Sequence, residues 1–180
     1  GVLAVPGMEI NTSEEVHAVC LFPNLEAALC FDSYVYGKLI RFPNNEAIFG
    51  KQQIYNEQDQ VCGTEPNLLI NATEISFDGL WELVRSYGGV MFPAHVDKTA
   101  NSLIANLGFI PPDSRFRTAE VKDLKKLHQL QKDNPYLDKC RIISNSDAHY
   151  LEHMNEPELT LQVEEKTVQG IIDALLDGAG

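Results

Sequence analysis

Short apolar runs, too brief for helices, alternate along this chain with stretches of helical spacing. That alternation restricts it to an α/β domain, with mostly parallel strands expected. The runs are "GVLAV" at 1–5, "HAVCLF" at 17–22, "VMFPAH" at 90–95, "TAEV" at 118–121, "CRIIS" at 140–144 and "LTLQV" at 159–163. Between them, "NLEAALCFDSYVYGKL" at 24–39 reads as a helix opened by Asn24, whose side chain can accept an N–H of the first turn. "SFDGLWELVRSYGG" at 76–89 places Phe77, Leu80, Trp81 and Val84 at helical spacing, with Ser76 as N-cap and Gly88 as the stop. "NSLIANLGF" at 101–109 and "KTVQGIIDALL" at 166–176 are further helices. So is "KDLKKLHQLQKDN" at 122–134, with Leu124, Leu127 and Leu130 inward. The polar "EINTSEE" at 9–15 reads as a turn, and "KQQIYNEQDQVCGTEP" at 51–66 as a loop or hairpin arm punctuated by Gly63 and Pro66.

A length of 180 residues is one domain's worth of chain. No apolar run approaches the roughly 20 residues of a membrane helix. Fourteen basic against 26 acidic residues give a net charge of −12. That argues against direct nucleic-acid binding, which needs a basic footprint. A small anionic substrate stays open, because a bound cation reverses the local field. Cys20, Cys30, Cys62 and Cys140 include no C-x-x-C pair and read as reduced thiols of a cytoplasmic protein. No charged segment precedes "GVLAV" in this sequence, so it is not expected to be a signal peptide. A chain that opens on Gly1 in an apolar run is expected to be a fragment or a processed chain.

In α/β folds chemistry gathers at the carboxyl ends of strands. Three runs lead there into metal-ligand residue types: Glu9, His95, and Asp147 with His149. His17 opens the run after Glu9 and is a fourth candidate point. Imidazole nitrogen and carboxylate oxygen suit zinc, manganese or iron. Each residue also has an ordinary reading. Glu9 can be a solvated turn residue and His17 a satisfied strand histidine. His95 can cap a helix or bond a carbonyl, and Asp147 can be an N-cap. His128, in a lysine-rich helix, and His153, in a polar loop, read as solvated. Lys98, Arg115 and Arg117 flank the loops "PAHVDKT" and "PPDSRFR" and are candidates for a substrate phosphate. Neither G-x-S-x-G nor a P-loop glycine pattern occurs, so no covalent nucleophile is indicated.

"PGMEI" followed by "VHAVCLF", then "GGVMFPAHVD", then "IISNSDAHYLEHM" resembles the PHP (polymerase and histidinol phosphatase) family, over residues 2–23 and 88–156. The resemblance implies a single domain over 1–180, a distorted (β/α)7-type barrel incomplete on its N-terminal side, with an insertion region at 40–75. It implies two or three divalent metal ions, zinc, manganese or iron, and hydrolysis of a small phosphate ester. Glu9 then matches a carboxylate bridging two ions, His17 and His95 ligands of one of them, Asp147 a ligand of the other, and His149 a ligand of the third. Asp147 and His149 are thereby the catalytic candidates, Asp147 also orienting water. The family opens with an H-x-H pair, and no histidine precedes His17. An upstream part of the same polypeptide is therefore the expected source of those ligands. The other readings are a PHP-like metal-binding module without turnover, serving structure or assembly, and a metal-free α/β interaction domain.

Overall fold

The structure is a computed structural model that describes residues 2–157 and 159–178. Its elements follow in the order β1 (Gly7–Asn11), β2 (His17–Leu21), α1 (Leu25–Lys38), α2 (Glu46–Phe49), β3 (Gln53–Tyr55), β4 (Val61–Thr64), α3 (Phe77–Ser86), β5 (Val90–Pro93), α4 (Leu103–Leu107), β6 (Thr118–Glu120), α5 (Leu127–Asp133), β7 (Arg141–Ile143) and α6 (Val168–Asp177). Among the described residues no helix is long and apolar enough to cross a membrane.

The strands do not run mostly parallel. β1 and β2 form an antiparallel hairpin with Asn11 opposite His17, and β5 pairs antiparallel on the other side of β2 with Pro93 opposite Ala18. The link between β1 and β2 is too short for a crossover, which a parallel pair would need. β6 and β7 do pair in parallel, from Thr118 opposite Arg141 to Glu120 opposite Ile143, and α5 lies in their connection. Val96 N–H donates to the Glu120 carbonyl at 2.9 Å and Val121 N–H to the Ile143 carbonyl at 2.9 Å, joining the ends of β5, β6 and β7. The C-terminal ends of β1, β5, β6 and β7 and the start of β2 thus collect at one edge. The described residues form a three-stranded sheet and two two-stranded sheets rather than a closed barrel.

Among the described residues two expected strands are absent; Gly1, the first residue of one, lies outside them. Residues 2–6 carry no ladder, because Gly7 already faces Leu21, the last residue of β2. Residues 159–163 have no strand partner either; Leu161 instead packs against the cluster of Val90, Phe92, Ile172 and Leu175. The 51–66 stretch is a hairpin, β3 against β4.

The helices form where the side chains demand. The Asn24 carboxamide accepts Ala27 N–H at 2.9 Å, and the Ser76 hydroxyl accepts Gly79 N–H at 3.2 Å. α3 buries Phe77, Leu80 and Val84, and the chain leaves it through Gly88 at φ +74°, a conformation glycine adopts without strain. One face of the β1–β2–β5 sheet packs Ala18, Cys20 and Met91 against Phe31, Leu80, Val84 and Phe116. The other sets Val90 and Phe92 against Ile172 and Leu175. Both faces being covered, the sheet is a rigid platform for its edge. All four cysteines are free; burial pushes the Cys140 thiol up to about 12 and the Cys20 thiol higher still.

Candidate metal centre

Strand register brings the first pair together. Glu9 lies opposite Val19, and His17 stands two residues before Val19, so Glu9 and His17 are diagonal neighbours on one face of the hairpin. The His17 Nδ1 is 2.7 Å from Glu9 Oε1. His95 follows the end of β5 on the far side of β2 and brings its Nε2 to 3.3 Å from the same oxygen. One ligand atom from each of these three residues lies within 4.8 Å of the others.

His95 is held there against local strain. Its φ of +31° is unfavourable for a residue with a Cβ. The hydrogen bonds around it fix the turn: Ala94 N–H to the His17 carbonyl at 3.0 Å, Val96 N–H to the Glu120 carbonyl at 2.9 Å, and Lys98 N–H to the His95 carbonyl at 2.9 Å. His95 is 2% exposed, and its Nδ1 is buried with no hydrogen-bond partner among the described residues. A buried imidazole nitrogen left unpaired costs its desolvation penalty, and such a group marks a place where a ligand or ion could offset it.

The donor set fits a divalent cation. Two ligand atoms each about 2.1 Å from one ion lie roughly 3–3.5 Å apart, close to the spacings around Glu9 Oε1. Neutral imidazoles with a carboxylate suit zinc, manganese or iron alike. The hydrogen bond from His17, then that from His95, holds the Glu9 carboxyl far below the ordinary carboxylate range, despite burial that works the other way.

Glu120, at the end of β6, lies near enough to feel the charges of this group, though the sequence does not single it out. It is 4% exposed. Burial raises its pKa above the ordinary value; the His95 charge opposes the rise, and the Glu9 and Asp147 charges add to it. The available signal was the one that found His95, a polar residue at the carboxyl end of a short apolar strand.

The other expected residues divide. Asp147 is near enough to feel His95 and Glu9, but its carboxylate is turned to the Lys98 ammonium, and Lys122 Nζ lies 3.7 Å away. Burial works to raise the Asp147 pKa; the Lys98 hydrogen bond and charge outweigh it, and the net shift is downward. His149 is exposed, its Nδ1 3.1 Å from the Asp147 carbonyl oxygen. Lys98 stands beside the cluster. Arg115 and Arg117 do not: both precede β6, whose other end carries Glu120, and Arg115 pairs with Glu82 at 2.5 Å. His128 and His153 are exposed, as expected.

No protein-family model and no curated protein sequence matches the chain. Its fold is similar to the crystal structure of the lesion-specific endonuclease PfuEndoQ from Pyrococcus furiosus, with a TM-score of 0.56 and 16% identity, over 97% of this chain and 39% of that one. The chain thus spans about two fifths of that protein's length. At this identity the likeness concerns the fold.

Proposed function

We propose that this chain carries part of a PHP-type metal centre and that the complete centre hydrolyses small phosphate esters. The observation that carries the reading is the convergence of Glu9, His17 and His95 on one point within 4.8 Å. Supporting it are the agreement of those three residues with the family pattern, and the fold likeness to a lesion-specific endonuclease. The chain's net charge of −12 favours a small phosphorylated substrate over a nucleic acid.

In this reading the Glu9 carboxylate and the His17 and His95 imidazoles would hold divalent metal, with Glu9 the carboxylate shared between ions and the imidazoles neutral. Asp147 and His149 would add further ligands for two or three ions, together with ligands from an upstream part of the polypeptide. Divalent ions so held supply Lewis acidity toward a phosphoryl oxygen and acidify water. Asp147, released from Lys98, orients the attacking water. The domain spans 1–180 as an incomplete barrel with an insertion at 40–75.

Elemental analysis of the protein purified without added metal or chelator is expected to find two or more equivalents of zinc, manganese or iron. Near-zero metal, unchanged after soaking, would remove the centre. In the full-length protein, His95→Ala and Asp147→Ala are expected to abolish hydrolysis of phosphate monoesters while leaving the circular dichroism spectrum intact. Wild-type turnover in either would take that residue out of the site. Glu9→Gln is expected to lose more metal than His149→Ala, because a bridging carboxylate serves two ions; equal losses would contradict bridging.

A further inference from the structure

In a strongly acidic chain, two lysines converge beside the carboxylate–imidazole cluster. Lys98 donates to the Asp147 carboxylate, and Lys122 Nζ lies 3.7 Å from it. The Asp147 side chain is 12% exposed, the lysines 37% and 42%. The acid is thus the most buried member of the group, and both lysine side chains are more exposed than it is.

The placement is built by the backbone. Lys98 N–H donates to the carbonyl of His95 at 2.9 Å, and the Ser102 hydroxyl donates to the Lys98 carbonyl at 2.7 Å. Asp97 then ties this loop to the one after β6. Its two carboxylate oxygens accept Lys122 N–H at 2.8 Å and Asp123 N–H at 2.9 Å. That staple sets Lys122 beside Lys98. Asp147 reaches them from a backbone φ of +50°, a region that favours glycine.

One carboxylate balances one of two ammonium groups. A phosphate monoester carries close to two negative charges near neutral pH and presents three acceptor oxygens. We propose that Lys98 and Lys122 form an oxyanion clamp for the dianionic phosphoryl group of a phosphate monoester, and that Asp147 occupies this clamp until the phosphate displaces it. The clamp rests on the phosphoesterase reading for the reaction it serves, but its anion binding needs no metal. Displacement frees the Asp147 carboxylate at the moment substrate arrives, so one event binds the phosphate and releases the acid toward Glu9 and His95.

Titration of inorganic phosphate into the 15N-labelled, chelator-treated chain tests this. Saturable shifts are expected at the Lys98 and Lys122 amides. Lys98→Met and Lys122→Met are each expected to weaken binding about tenfold, the loss of one charge-assisted hydrogen bond. Asp147→Asn is expected to tighten it, because the internal occupant loses its charge; a surface ion pair with no ligand role would give no such gain. Unchanged affinity in Lys122→Met, or unchanged or weaker affinity in Asp147→Asn, overturns the clamp. Metal content measured on the untreated samples separates the two ideas. This pattern in a chain that takes up no metal keeps the clamp and removes the phosphoesterase reading. Metal uptake with phosphate binding indifferent to both lysines does the reverse.

Discussion

A carboxyl group 4% exposed, as Glu120 is, seldom survives in a fold without a partner or a purpose. Burial raises its pKa. A carboxyl with a folded-state pKa above its unfolded one stabilises the fold fully below the unfolded value, and that contribution is lost as pH rises through the folded value. At neutral pH its charge is therefore a penalty in the metal-free protein. Glu120→Gln is expected to raise the melting temperature of chelator-treated protein at pH 7 by about 2–4 °C, the shift that ~1 kcal/mol produces in a domain of this size. The gain should fade as pH drops toward 4.5, the ordinary carboxyl value. Scanning calorimetry at several pH values reads this directly, and a variant that melts lower at pH 7 would show that the charge is compensated within the protein. The site's other residues were more legible. Glu9, His17 and His95 announce themselves as ligand types at strand ends, whereas Glu120 looks like one more polar residue in an alternating run. Its character comes first from burial and then from His95, Glu9 and Asp147, which are distant in sequence.

At the scale of elements, the helices were readable because their signals are local. Asn24 and Ser76 cap α1 and α3 through side chains three residues from the N–H groups they serve. The buried Phe77, Leu80 and Val84 follow the helical period. Strand direction was not readable, because it depends on which strands pair and not on any one strand's pattern. The hairpin of β1 and β2 turned an expected parallel arrangement antiparallel, and "GVLAV" and "LTLQV", apolar enough for strands, found no ladder. That hairpin is also what places His17 beside Glu9, so the error in direction concerns the geometry that makes the site. α3 holds the platform from behind, and its contributions separate in size. Leu80→Ala, at a position with no exposure, is expected to cost roughly 2–5 kcal/mol through lost burial and a cavity. Ser76→Ala should cost about 1 kcal/mol through the lost cap. Urea unfolding of the two variants compares them, and equal losses would mean that α3 is not anchored by its buried face.

For the whole molecule, the excess of acidic over basic residues makes every cation stabilising to some degree, since added salt screens the repulsion among them. A specific centre must therefore be told apart from general screening. Binding to the folded state alone stabilises by about 2.7 kcal/mol when free metal is a hundredfold above its dissociation constant. In a domain of this size that is a rise of roughly 5–10 °C in melting temperature. Zinc or manganese at micromolar concentration contributes almost nothing to ionic strength, so it cannot act by screening. Micromolar metal is expected to raise the melting temperature of the wild-type chain by such an amount, and chelator to reverse it. Glu9→Gln and His95→Ala should lose that increment and keep the smaller one given by 0.2 M sodium chloride. The comparison works because the two mechanisms depend on different residues: screening acts on the whole surface, whereas the metal increment requires three side chains that the β1–β2–β5 sheet brings to one edge. If both variants retained the micromolar response, the ion would be binding to the diffuse acidic surface, and the convergence on Glu9 would be a hydrogen-bonded cluster without a metal role.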